Sequence, residues 1–313
     1  MFELVMALAA LQLIIESLPI SSSGHVQLLQ FFLDRSGYYT NEGLSESLDH
    51  ALHGPTLLIL AVYFRAQWWP LLCAILQSLN SYVRARCVIT DLPFSQRTLL
   101  CIVARIVGMV VTADSITALG YFLFRDALHA WVGSNVMILA VGFVVTMMLL
   151  LSSKLLDTPV SAARGHPPSL ECSSGEAGVG HSKQTEIKRS SINISYPIAI
   201  LLGIVQGSVA LFPGISRFAC TVMCARWCGV SARRSLQFSF LMFAPLIIAA
   251  FTVKGIPALL QIMNGQWFVV LVGSTLIAYP LFVGSCWLAL TNRWWWMSYY
   301  MIAPITACIL LFH

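Results

Sequence analysis

Six apolar runs in this chain, near residues 50–67, 98–124, 133–153, 236–253, 267–290 and 297–312, approach or reach the length a helix needs to cross a bilayer, about 17 to 25 residues. These runs decide the fold class. Hydrocarbon offers no water to an unpaired N–H or C=O, so a spanning segment must satisfy its backbone internally, and a helix does this within one segment. Only 10% of the 313 residues are charged, against about 25% in a soluble domain. The chain is therefore expected to be an all-α polytopic membrane protein with six transmembrane helices in a single integral domain. Its net charge of +5 reads as a loop bias that sets orientation. No interleaving of basic and aromatic residues points to a nucleic acid. The start has no basic segment and no cleavage site, and reads as mature structure.

Two more apolar stretches, 2–33 and 196–230, are broken in the middle by Pro19 and Pro213. Either side of each break is too short to span, so each stretch is expected to form a re-entrant helical hairpin. Irregular backbone at membrane depth persists only where protein or water satisfies it, which makes each break a candidate site. The connectors suggest the orientation. Residues 34–49 carry Asp34, Glu42, Glu46 and Asp49 against Arg35, whereas 65–97 carry Arg65, Arg84, Arg86 and Arg97 against Asp91. The Ser/Gly/Pro-rich stretch 154–195 carries Lys154, Arg164, Lys183, Lys188 and Arg189. By the positive-inside rule the first connector is outside and the other two are cytoplasmic.

Threading the segments with these signs gives one unit twice, in opposite orientation. Repeat one is 1–153, a flexible cytoplasmic linker covers 154–195, and repeat two is 196–313. The sequence carries a trace of the doubling: Gln12, Pro19 and Ser22 have the same spacing as Gln206, Pro213 and Ser216. Inverted repeats with broken helices are also a transporter design, so a flippase or transporter of an anionic lipid or solute is the rival expectation.

The broken loops gather the reactive chemistry. After Pro19 the chain cannot easily stay helical, and Ser21, Ser22 and Ser23 offer cap oxygens for a new helix. A fresh helix start presents free N–H groups and the positive end of a dipole, which suits an anion. Glu16 lies one turn before the break and His25 in the first turn after it. In the second loop Pro213 and Gly214 break the helix and Ser216 caps it. Arg217 follows with a guanidinium fork that fits phosphate, and an intramembrane Arg is a functional candidate by default. The residues point to an intramembrane anion site with acid/base groups, and by themselves name no substrate.

The stretches ESLPISSSGHV, LFPGISRFACTV and GVSARRSLQFSFLMFAP resemble the bacterial undecaprenyl-diphosphate phosphatase family associated with bacitracin resistance, over nearly the whole chain. The family's acid-or-Gln, three residues, Glu falls on Gln12 and Glu16. Its Pro-x-Ser-Ser-x-Gly-His falls on Pro19, Ser21, Ser22, Gly24 and His25. Its second motif matches at Pro213, Gly214, Ser216, Arg217 and Thr221. Three positions depart from the family pattern: Gln12 where a second carboxylate is common, Phe218 where a Ser follows the arginine, and Gln237 where an acid precedes Phe-Ser-Phe. The resemblance implies hydrolysis of undecaprenyl diphosphate to undecaprenyl phosphate and phosphate in the bacterial plasma membrane, recycling the lipid carrier for peptidoglycan synthesis. It implies Glu16, Ser22, His25 and Arg217 as catalytic residues. Gln12, Ser21, Ser23, Gly24, Gly214, Ser216 and Thr221 would contact substrate, with Ser22 either the nucleophile or a donor to phosphate. It also implies a divalent cation, Mg²⁺ or Ca²⁺, with Glu16 as its ligand. The partners the resemblance implies are the isoprenyl diphosphate lipid and the membrane, and it leaves a homodimer open. The departures leave a degenerate, inactive relative as a further reading.

Other residues are expected to be structural. His50 and His53 read as interfacial or packing residues, and Cys220, Cys224 and Cys228 as small residues for close helix packing. The run 293–300 reads as an aromatic belt. Asp114, inside an apolar run, is a secondary candidate for an ion or proton, or a partner for Arg105. When no substrate is bound, Glu16 is the expected counter-ion of Arg217.

Overall fold

The computed structural model describes residues 2–37, 42–66, 94–132, 135–156, 193–262 and 265–312, with a few positions between 69 and 77. Every ordered element among them is helical. In chain order these are α1 (Phe2–Glu16), α2 (Ser22–Arg35), α3 (Glu42–Tyr63), α4 (Phe94–Val132) and α5 (Val136–Ser152), which a 3₁₀ turn (Ser153–Leu156) extends. There follow α6 (Tyr196–Val209), α7 (Arg217–Trp227) and α8 (Ala232–Ala250), which runs through a π turn (Phe251–Gly255) into α9 (Ile256–Ile262). The chain ends with α10 (Gly265–Leu290), α11 (Trp295–Tyr300) and α12 (Ile302–Phe312).

This is an all-α multi-pass membrane protein. Among the described residues, five helical stretches are long and apolar enough to cross a bilayer: Leu100–Phe124, Val136–Leu156, Ala232–Leu260, Gly265–Leu290 and Trp295–Phe312. The sixth expected span is shorter, with an apolar part of Ala51–Tyr63, because Glu42, Glu46 and Asp49 occupy the first half of α3. Large apolar side chains stand exposed along α4 (Val111, Leu119, Phe122) and α10 (Phe268, Val269, Leu276), the outer face a bilayer covers. Most of the connector 65–97 and of the linker 154–195 lies outside the described residues.

Both proline breaks fall where expected. α1 stops at Glu16 and α2 starts at Ser22; α6 stops at Val209 and α7 starts at Arg217. The first arm of each pair packs on a helix from the other half of the chain: α1 lies along α10, and α6 along α4. At the second seam a Cβ on Gly203 would meet the Ala113 backbone, and the Thr117 hydroxyl donates to the Gly203 carbonyl at 3.0 Å. Small residues at such a seam let two helices approach closely. The second arms, α2 and α7, both pack on α5. The core beneath the loops is apolar and dense, with Leu13, Leu139, Phe143 and Leu150 fully buried. Trp294 closes it from the side, its indole N–H donating to the Ser285 carbonyl at 2.8 Å.

Candidate active site

The two loops differ in how they start their helices. Ser216 has extended backbone (φ −74°, ψ 109°) and its hydroxyl accepts the Ala219 N–H at 3.3 Å, so it caps α7 as expected. Ser21 does not cap α2. Its backbone is left-handed (φ 67°, ψ 86°), whereas a capping side chain reaches the first-turn N–H groups from extended backbone. The Ser21 hydroxyl is instead buried without a hydrogen-bond partner. The first-turn N–H groups of α2 therefore receive no cap from Ser21, the arrangement that accepts an anion.

The loops meet in space. A Cβ added to Gly24 would lie 2.7 Å from the Gly214 Cα, so the backbones touch only because neither residue has a side chain. Gly214 also has φ +84°, a conformation glycine adopts without strain. Thr146 of α5 fixes the second loop from below. Its hydroxyl donates to the Gly214 carbonyl at 2.8 Å and accepts the Ser216 N–H at 2.9 Å.

Where the loops meet, a cavity of about 60 Å³ opens, room for a few water molecules. Glu16, Ser21, Ser22, Ser23, Ser216 and Arg217 all line it, with Thr56 and an aromatic wall of Phe218, Phe240, Phe243 and Phe282. Glu16 is held at both oxygens: Oε1 lies 3.2 Å from His53 Nδ1 and Oε2 accepts the Thr56 hydroxyl at 2.8 Å. His53 and Thr56 are three residues apart on α3 and so share a face. The Arg217 guanidinium stands over the Phe243 ring, 5.3 Å from its centroid. Glu16 was the expected partner of Arg217. The structure corrects this: His53 and Thr56 take the carboxylate, and Arg217 has no carboxylate partner among the described residues.

The description "bacitracin resistance protein BacA" matches residues 5–304 of the chain. The chain belongs to this family. It is 25% identical to an undecaprenyl-diphosphatase of Treponema denticola over 248 residues, 79% of this chain and 72% of the relative. An undecaprenyl-diphosphatase of Rubrobacter xylanophilus is 29% identical over 261 residues, covering 81% of this chain and 76% of the relative. One from Teredinibacter turnerae is 25% identical over 279 residues, covering 89% and 86%.

In this BacA-family chain the cavity gathers six of the eleven expected site residues; the other five lie outside its wall. Gln12 is buried one turn before Glu16 on α1 and does not line the cavity. Gly24 and Gly214 form the loop contact. The Thr221 hydroxyl bonds back to the Arg217 and Phe218 carbonyls, at 3.1 and 3.2 Å, a common fate for Thr in a helix. His25 turns away from the cavity. Its ring stacks on Tyr300, with centroids 5.7 Å apart, and packs edge-on to Phe143 at 5.0 Å. It borders a separate apolar groove between α1, α2 and α12.

The departures from the family pattern also find their places. Phe218 lines the cavity and packs on Phe240 and Trp294. Gln237 lines a different pocket, with Arg105, Asn193 and Arg234. Neither oxygen of Asp114 has a hydrogen-bond partner among the described residues, so the pair with Arg105 is not formed. Cys220 and Cys224 pack against the core as expected.

His53, Thr56 and Thr146 are site residues the sequence reading missed. For His53 a signal existed: His53 and Thr56 form a polar pair at helical spacing inside an apolar stretch, on either side of Gly54 and Pro55. Thr146 gave none, being a single hydroxyl in an apolar helix. No group of three or more His, Cys, Asp or Glu gathers among the described residues. The cavity's donors, one carboxylate and several hydroxyls, fit a hard cation that arrives on a ligand's phosphate oxygens better than one held by protein alone.

Proposed function

We propose that this chain hydrolyses undecaprenyl diphosphate to undecaprenyl phosphate and inorganic phosphate in the bacterial plasma membrane, as a single copy or a homodimer. One observation carries the reading. Glu16, three serines of the first loop, and Ser216 and Arg217 of the second line one cavity, although they come from opposite halves of the sequence. The names of the relatives supply the substrate, and the cavity's chemistry agrees with it. The transporter reading gains no support from the relatives' names.

In this reading Arg217, free of a carboxylate partner, grips the non-bridging oxygens of the diphosphate with its planar fork. The N–H groups at the start of α2 take further oxygens. Glu16, oriented by His53 and Thr56, accepts the proton of the attacking hydroxyl, from Ser22 or from water. That oxygen attacks the terminal phosphorus, and undecaprenyl phosphate leaves with the bridging oxygen. Attack by water gives inorganic phosphate directly, whereas attack by Ser22 gives a phosphoserine that water then hydrolyses, returning the serine hydroxyl and releasing phosphate. Glu16 and the loop hydroxyls would hold a Mg²⁺ or Ca²⁺ ion brought by the diphosphate; such an ion neutralises charge on phosphoryl oxygens. Gln12 sits behind Glu16, so a single carboxylate serves as base. The exchanged packing of α1 on α10 and α6 on α4 supports two inverted repeats, with both loops re-entrant.

The test is phosphate release by the purified protein in vesicles containing undecaprenyl diphosphate. Arg217→Ala and Glu16→Gln should each lower kcat/KM about a hundredfold, the scale for losing one charge-stabilising group. Movement of the lipid between leaflets without phosphate release would replace this reading with transport.

A further inference from the structure

His25 is held at both ring nitrogens, and neither faces the cavity. Nδ1 lies 2.7 Å from the Ser21 carbonyl oxygen. A carbonyl can only accept, so Nδ1 carries the proton and donates. Nε2 then has the lone pair and accepts the Tyr300 hydroxyl at 3.2 Å. The Ser21 carbonyl also accepts the His25 backbone N–H at 3.3 Å. Residue 25 thus ties down, twice, the one residue of the loop with left-handed backbone. For a serine this conformation costs about 1–2 kcal/mol and persists only where its surroundings enforce it. Ser21, Ser22 and Ser23, which follow from that turn, line the cavity. Tyr300, in α11 of the other half of the chain, backs the ring by stacking.

We infer that His25 and Tyr300 are positioning residues: the imidazole holds the Ser21 carbonyl so that the serine loop and the start of α2 face the phosphate, and it makes no contact with the reacting atoms. The inference rests on the diphosphatase reading for its activity assay, but the hydrogen bonds exist without substrate and can be tested without it.

Three substitutions at residue 25 separate positioning from chemistry. An Asn places its amide N–H where Nδ1 stands, one bond beyond Cγ, and still reaches the Ser21 carbonyl. A Gln places its amide one bond further out, and Ala offers no donor. His25→Asn should hold kcat/KM within about threefold of the parent. His25→Gln and His25→Ala should lose roughly tenfold or more, the scale for leaving a buried carbonyl one donor short. Tyr300→Phe should lower kcat/KM by about two- to fivefold, the worth of one hydrogen bond. Thermal melting in detergent identifies any variant that has simply unfolded. If folded His25→Asn is as inactive as His25→Ala, the ring takes part in the reaction and the inference falls. It falls too if all three variants match the parent.

Histidine ¹⁵N spectra of the substrate-free protein supply an independent measurement, with the His25 signal identified by its loss in His25→Asn. The Nδ1–H tautomer is expected, and an Nε2–H tautomer overturns the inference. If the parent protein releases no phosphate while the spectrum shows Nδ1–H, the diphosphatase reading fails and the positioning geometry stands.

Discussion

Replacing Thr146 with Val keeps the side chain's shape and removes one hydroxyl. That hydroxyl makes two bonds, to the Gly214 carbonyl at 2.8 Å and from the Ser216 N–H at 2.9 Å, at a fully buried position. Each backbone group left unpaired costs about 1–3 kcal/mol. Hydroxyl bonds between membrane helices often measure only about 0.6 kcal/mol, because the broken partners find others. Here they cannot, since Gly214 is pinned between the α5 backbone and Gly24. The higher figure should hold, for a combined loss of about 2–6 kcal/mol over the two groups. At about 2 °C per kcal/mol, the lower end for large domains, the melting midpoint should drop by roughly 4–12 °C. Because the second bond places the residue that caps α7, and with it Arg217, phosphate release should also fall by at least about tenfold, equivalent to 1.4 kcal/mol. Thr146→Ser keeps both bonds and should lose little. The assay is melting in detergent together with phosphate release from vesicles. A Thr146→Val protein that melts and turns over like the parent would refute the account of the loop. So would a Thr146→Ser protein that fails equally.

Two more outcomes follow from the geometry. Gly24→Ala would drive a methyl into the Gly214 backbone, separating the loops at about 1–3 kcal/mol; inserted protein with lost phosphate release is expected, and normal turnover would argue against the loop crossing. Asp114→Asn replaces a carboxylate whose oxygens are buried without partners, so melting should stay unchanged or rise, with activity retained; loss of activity in folded protein would assign Asp114 a chemical role.

The helices and their breaks were legible in the sequence because apolar length and proline position are local properties. Pro19 and Pro213 interrupt two apolar stretches, and the chain turns at both. That Arg217 belongs to the site was legible for a different reason: an arginine in hydrocarbon requires polar company, and the polar residues were few. What stayed hidden depends on which way a side chain turns. Ser21 reads as a cap until its backbone proves left-handed. His25 reads as a base until its ring is found against Tyr300, whose place in the fold no pattern near residue 25 announces. His53 reads as packing because nothing in α3 indicates that α1 lies beside it, with Glu16 facing it.

The exchanged packing of the two halves sets a timetable for synthesis. The hairpin that carries Glu16 leaves the ribosome well before α10, against which α1 packs. At about 5–20 residues per second, elongation across that gap takes on the order of 15–50 s. Until residues 210–216 are made the first loop, with its buried hydroxyl and its carboxylate, has no opposing loop to close its cavity, and until α10 is made α1 lacks the helix it packs on. The nascent chain must hold this polar turn at the membrane until its last helices arrive. Truncation anywhere before α10 therefore removes the seat of a residue near the opposite end of the chain.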